Sequence, residues 1–195
     1  MQSNLVLIYD VVFRPRQVFQ SFSRAAPWRL ALGVFILSTT LPSLVFFAGA
    51  QHLMLEHFMG LILFVELAGS LVFWVLGTGV YHFIAEISGG EGRAVSLFSA
   101  LGLAHLPHLA MLPLFVLAGL LSGALQTLWL AAAACAIWGW TWILYYYAVK
   151  EIYQLSGSKT VLVLCAPFFA VLFMGLVIVV FFAVSVAQFS LENYL

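Results

Sequence analysis

The chain has 195 residues, seven basic and seven acidic, and is 65% hydrophobic and only 7% charged, with a mean hydropathy of +1.13. Soluble domains carry about 25% charged residues, so this composition excludes a water-facing surface and implies an all-α integral membrane protein. A formal net charge of zero leaves no basic footprint for nucleic acid and no acidic tail.

The first segment, NLVLIYDVVFRPRQVFQSFSR, is neither long nor apolar enough to cross a bilayer. Pro15 suits the first turn of a helix, after which Val18, Phe19 and Phe22 share one face and Arg16, Gln17, Gln20 and Arg24 lie elsewhere. Two readings stand: an amphipathic helix in the cytoplasmic headgroup layer, or a short helix packed on the bundle. Residues 1–27 form this amphipathic, interfacial segment, and residues 28–195 one membrane domain with no internal repeat or linker.

A span needs about 20 mostly apolar residues, and five stretches qualify: 28–50, 61–87, 95–121, 126–148 and 160–187. The small-x-small site at residues 48–50 follows an apolar stretch longer than the ~7–15 residues of a signal core, so the first span is expected to be retained. Pro42, Pro107, Pro113 and Pro167 fall inside spans, where a missing N–H and a ring clash favour kinks.

The charges give an orientation. Arg14, Arg16, Arg24 and Arg29 precede or open span one, Arg93 lies between spans two and three, and Lys150 and Lys159 flank the link from four to five. The opposite connections, QHLMLEHFMG and SGAL, and the tail SLENYL hold no basic residue. The positive-inside rule therefore predicts a cytoplasmic N-terminus and, after five crossings, an outside C-terminus.

Ionisable groups inside a bilayer are costly and are functional candidates by default; here they are Glu66, His82, Glu86, His105 and His108. Glu66, about 8 Å into span two, shares its face with Gly69, Ser70, Phe73 and Gly77, a surface suited to close helix packing. It reads as an interhelical hydrogen-bond partner or a transport carboxylate. His82 and Glu86, four apart, stack on one face roughly opposite Glu66. They read as a hydrogen-bonded pair or, with His105 and His108, as a proton or metal site. Pro107 in HLPH frees the carbonyl of Leu103, which a histidine donor could satisfy.

Other chemistry is thinly represented. Cys135 and Cys165 have neither CxxC spacing nor ligand partners and read as small packing residues, so no metal or cofactor is expected. LSGS (residues 155–158) is not a GxSxG elbow, and Asp10 is the only aspartate. In span four, Trp142 and Tyr145–Tyr147 read as interface anchors, and Trp138 and Trp140 as packing residues or an aromatic cage. SGGEGR (residues 88–93) lacks GxxxxGK[ST], and a membrane helix precedes it. Gly89, Gly90 and Gly92 instead permit a tight cytoplasmic hairpin, and Arg93 anchors span three.

RPRQVF before span one, YHFIAEISGGEGRAVSLFSALGLAHLP across the second hairpin and VKEIYQLSGSKTVLVL across the last one resemble the Yip (Ypt-interacting protein) domain over nearly the whole chain. The resemblance implies a helical membrane protein without known catalysis. Its eukaryotic relatives act in vesicle traffic, binding prenylated Rab-type GTPases and one another. Those relatives have a long hydrophilic N-terminal region, whereas about 27 residues precede the first span here, as in compact prokaryotic members; GTPase binding is therefore not carried over. Two function classes follow. One is a non-enzymatic organiser or assembly factor in a bacterial inner membrane, contacting lipid, other membrane proteins or its own copies. The other is a small permease or ion carrier using the intramembrane Glu and His residues.

Overall fold

The computed structural model describes the backbone of residues 4–22, 26–49 and 58–192, and their side chains except at 47–49 and 183–192. Arg24, residues 51–57 of the QHLMLEHFMG connection and the end of the SLENYL tail, which enter the charge reading above, lie outside the described residues. Two short helices, α1 (Asn4–Phe13) and α2 (Pro15–Ser21), precede α3 (Trp28–Gly49) and α4 (Met59–Ile87). The chain continues through α5 (Ala94–Leu103), a 3-10 turn (Leu106–Ala110), α6 (Met111–Ala118), α7 (Gly123–Tyr153) and α8 (Gly157–Glu192). The described residues form no strand, and five stretches are long and apolar enough to cross a membrane: Trp28–Phe46, Met59–Ile87, Ala94–Ala118, Gly123–Tyr153 and Gly157–Phe182. These are the five runs expected from hydropathy, with ends shifted by a few residues.

The third run is broken, and its prolines explain where. Pro107 cannot donate to the residue one turn earlier, and α5 stops at Leu103. Pro113 falls in the first turn of α6, where an N–H has no helical partner to lose. Pro42 and Pro167 sit inside α3 and α8, which run on past them as helix. At 1.5 Å per residue the 36-residue α8 is about 54 Å long, well beyond a bilayer core of about 30 Å. Thr160, Val163 and Leu164 near its start are buried, whereas the side chains of residues 168–182 are exposed.

The core is concentrated at the end of the bundle that carries Arg16, Arg93, Lys150 and Lys159. Val18, Phe19 and Phe22 of the N-terminal segment are buried in the same apolar cluster as Phe35, Leu97 and Val149. Of the two readings of this segment, the contacts are those of a helix packed on the bundle. A polar clasp reinforces it: Glu151 near the end of α7 is 5% exposed, accepts a hydrogen bond from Gln20 Nε2 at 2.6 Å and has Arg16 Nε 3.1 Å from its other oxygen. Arg16 and Gln20 lie four apart, so one face of α2 presents both donors to one carboxylate.

SGGEGR closes α4 onto α5 at this same end. Gly89 N–H donates to Glu86 O and Gly90 N–H to Ala85 O, and Gly89 takes φ +86°, a left-handed conformation suited to glycine. Gly90 and Gly92 serve a different purpose, close approach to Tyr153. A Cβ on Gly90 would lie 2.8 Å from Tyr153 Cβ, and one on Gly92 would lie 2.5 Å from its ring. Lys159 Nζ, from the start of α8, donates to Ser88 O at 2.8 Å, so both hairpins of the basic end are tied together.

Two outcomes follow. Gly92→Ala forces a methyl into the Tyr153 ring and should cost about 1–3 kcal/mol, read as a lowered unfolding midpoint in detergent, with Gly89→Val and Gly90→Val lowering folded yield further. The Arg16→Ala/Gln20→Ala pair, which leaves a buried carboxylate unpartnered, should cost about 1–3 kcal/mol, and adding Glu151→Met should recover most of it.

Candidate functional site

The five intramembrane candidates separate into two places. His82 and Glu86 belong to the basic end. The ring of His82 reaches Tyr153, with Nδ1 2.6 Å from the phenolic oxygen, and its Nε2 lies 3.5 Å from Glu86 Oε1. Ser96 and Ser99 give their hydroxyl hydrogens elsewhere: Ser96 Oγ donates to Phe22 O and Ser99 Oγ to Val95 O. Of the two readings of this pair, the contacts are those of a bonded His82–Glu86 pair, extended to a Glu86–His82–Tyr153 chain. The reason is geometric. Tyr153, brought in by the glycine hairpin, fills the space between α4 and α7 on that face.

His105 and His108 stand at the break of the third run, and the break sets their tautomers. His105 N–H bonds Gly102 O, one residue short of an α-helical partner, which leaves the carbonyl of Leu101 to be satisfied otherwise. His105 Nδ1 lies 2.9 Å from that oxygen, and His108 Nδ1 lies 3.2 Å from the carbonyl of His105. A carbonyl only accepts, so both Nδ1 atoms carry a hydrogen, and in the neutral ring Nε2 then keeps the lone pair. The expected role of a histidine as backbone donor holds in kind, but the carbonyl served is Leu101, not Leu103. The two rings lie 5.4 Å apart, centroid to centroid, at 26°.

Glu66 shares a cavity with these two histidines. The cavity, of about 420 Å³, is lined from α3 by Phe35, Ser38, Thr39, Pro42 and Ser43, from α4 by Glu66, Ser70, Phe73 and Trp74, and beyond them by His105, His108 and Tyr145. Both proline-disturbed segments thus border it, as expected for irregular backbone at membrane depth, which needs a cavity or protein around it. Ser43 Oγ lies 2.6 Å from Glu66 Oε1 and bridges α3 to α4. On the α7 side of the same histidines a second cavity, of about 230 Å³, is lined by Trp138, Thr141, Trp142 and Tyr145. Trp138 and Trp140, read as packing residues or an aromatic cage, are 63% and 40% exposed, and Trp138 lines this second cavity; Cys135 and Cys165, read as packing residues, are exposed and unbridged.

The floor of the larger cavity went unread in the sequence. Trp74 is stacked between Phe35, at 4.4 Å, and Phe98, at 3.9 Å, and Phe35 meets His105 edge-on at 4.7 Å. Gly102 admits the indole, since a Cβ there would lie 2.5 Å from Trp74 Cζ2. The Trp74 Nε1 hydrogen is buried and has no acceptor among the described residues. Glu151 was missed as well, because a carboxylate at a span end reads as a flanking charge. Its signal was Arg16 and Gln20 at helical spacing. Among the described residues no group of three or more His, Cys, Asp or Glu side chains is placed to hold a metal ion.

His105→Leu removes the donor that satisfies the Leu101 carbonyl and should lower stability by about 1–3 kcal/mol, measured by thermal unfolding in detergent; His105→Asn, which keeps a short side-chain donor, should lose less.

The comparisons with known proteins are consistent with this architecture. The Yip1 domain matches residues 9–179, from within α1 to well inside α8. No curated protein and no solved structure matches the chain. A match over most of the length, on five apolar helices of the expected order, identifies the chain as a multi-pass integral membrane protein that belongs to the Yip1 domain family.

Proposed function

We propose that this protein is a non-enzymatic organiser of the membrane, which holds other membrane proteins or further copies of itself through its apolar helices. The observation that carries the reading is α8. Among its described side chains the buried ones lie in its first turns, while Phe168, Phe169, Phe173, Phe181 and Phe182 are among the outward side chains that follow. A 36-residue helix held at one end supplies far more contact surface than its own bundle uses. Membership in a family of membrane proteins associated with trafficking supports the same reading. The positive-inside pattern supports a cytoplasmic basic end, in a membrane of the bacterial inner class. Residues 1–27 then form the cytoplasmic segment, clasped to α7, and residues 28–195 the membrane domain.

One observation favours a second reading, a small cation carrier: Glu66, His105 and His108 border one cavity. His82 and Glu86 lie apart from it, so a carrier would have three of the five candidate groups at its disposal.

A photo-crosslinking residue at Phe173 or Val179, activated in native membranes, should give adducts to a second membrane protein or a second copy, resolved by mass and peptide sequencing. Adducts to lipid alone at both positions would overturn the organiser reading.

A further inference from the structure

The polar face of the larger cavity has an uneven hydrogen-bond inventory. Part of its donor set is spent within the protein. Ser38 Oγ donates to Phe35 O, Ser43 Oγ has its one hydrogen between Glu66 Oε1 and Thr39 O, and both histidines give their Nδ1 hydrogens to backbone carbonyls. What remains is the buried Trp74 Nε1 hydrogen, the hydroxyls of Thr39, Ser70 and Tyr145, which can donate or accept, and acceptor capacity on the second carboxylate oxygen of Glu66 and the Nε2 atoms of the neutral imidazoles. Pro42 adds to it, because a proline inside α3 cannot donate to the carbonyl of Ser38 one turn earlier. Among the described residues no lysine or arginine lines the cavity to neutralise Glu66. Its other walls are the aromatic side chains Phe35, Phe73, Trp74 and Tyr145; the faces of Trp74 are taken up by Phe35 and Phe98, so a cation would be drawn to the rings of Phe73 and Tyr145.

An aromatic-walled chamber of about 420 Å³ with one carboxyl group and no cationic side chain in its lining suits a ligand with positive charge and several N–H bonds. We propose that this cavity is a binding site for a primary ammonium group, with Glu66 as counter-ion, the histidine Nε2 atoms as further acceptors and the aromatic rings as walls. A quaternary ammonium satisfies the charge and the rings but offers no hydrogen to the acceptors. A metal ion lacks the ligand cluster it would need among the described residues. The group can arrive in two forms, as a small free amine or as the ethanolamine head of a membrane lipid. The inference does not depend on the organiser reading, since a bound ammonium is compatible with either function class.

The test uses the full chain in detergent and in nanodiscs. Ethanolammonium at about tenfold over its dissociation constant should raise the unfolding midpoint by about 3–6 °C relative to sodium at equal ionic strength, and tetramethylammonium should give less than half of that. Glu66→Gln can still accept the Ser43 hydroxyl hydrogen, so it should fold, yet it should lose the ethanolammonium shift. In parallel, protein from nanodiscs of mixed phosphatidylethanolamine and phosphatidylcholine is stripped and its retained lipid measured by mass spectrometry. Enrichment of the ethanolamine lipid that Glu66→Gln abolishes assigns the site to a lipid head; a shift with free amine and no lipid enrichment assigns it to a soluble amine. Equal response to ethanolammonium and tetramethylammonium with no lipid enrichment would overturn the proposal, as would a Glu66→Gln protein that behaves as the parent does in both arms. The first of these comparisons needs no variant, so it remains decisive even where Glu66→Gln misfolds.

Discussion

In a bilayer every backbone N–H and C=O must find its partner within the protein, and the break in the third span is where that constraint is hardest to meet. Pro107 withholds a donor, the chain tightens into a 3-10 turn, and His105 and His108 turn their Nδ1 hydrogens to the Leu101 and His105 carbonyls. That repair has a chemical consequence. It commits Nδ1 of both imidazoles to the backbone, so that Nε2 carries the lone pair of the neutral ring, beside a cavity that α3 and α4 complete from the other side. The histidines thus serve the backbone through one nitrogen and are available for ligand recognition through the other.

The opposite end of the bundle follows a different logic. There the apolar core is densest, and the polar contacts are clasps: Glu151 with Arg16 and Gln20, His82 with Tyr153, Lys159 with Ser88. Tyr153 is the common element, because Gly90 and Gly92 leave room for its ring and its hydroxyl engages α4. Residues from α2 and the α4–α5 hairpin therefore close on the last turns of α7, and Lys159 at the start of α8 ties the same hairpin at Ser88.

The spans were legible in the sequence because about 20 apolar residues in a row have few other meanings, and the hairpin because its glycines stop a helix. HLPH marked the break of the third span. Which faces meet was much less legible. α4 is apolar nearly all round, so its pattern does not say that Glu66 turns to Ser43 and His82 to Tyr153. That His82 extends to Tyr153 was equally hidden, because register along two helices does not fix rotation about them. The stack of Trp74 between Phe35 and Phe98 was hidden for a further reason: aromatic residues in an oily span carry no period that separates a stacked ring from a lipid-facing one.

That stack bears on what the cavity can do. Phe35, Trp74 and Phe98 each lie nearer the basic end of their own helices than Ser38, Glu66 or His105, so the three rings form a floor between the cavity and that end. Gly102 is packed against the indole, leaving little room for it to swing aside. A carrier would have to part this floor on each cycle, against stacked rings that contribute roughly 0.5–1.5 kcal/mol per pair beyond their burial. A site that only holds its ligand needs no such motion. It needs an opening on the far side or toward lipid, which the cavity's outer lining of Ser43, Glu66 and Ser70 allows. Cavity and floor together argue for occupancy rather than passage: an ammonium held between α3 and α4 would brace the two helices there, leaving α8 available for partners.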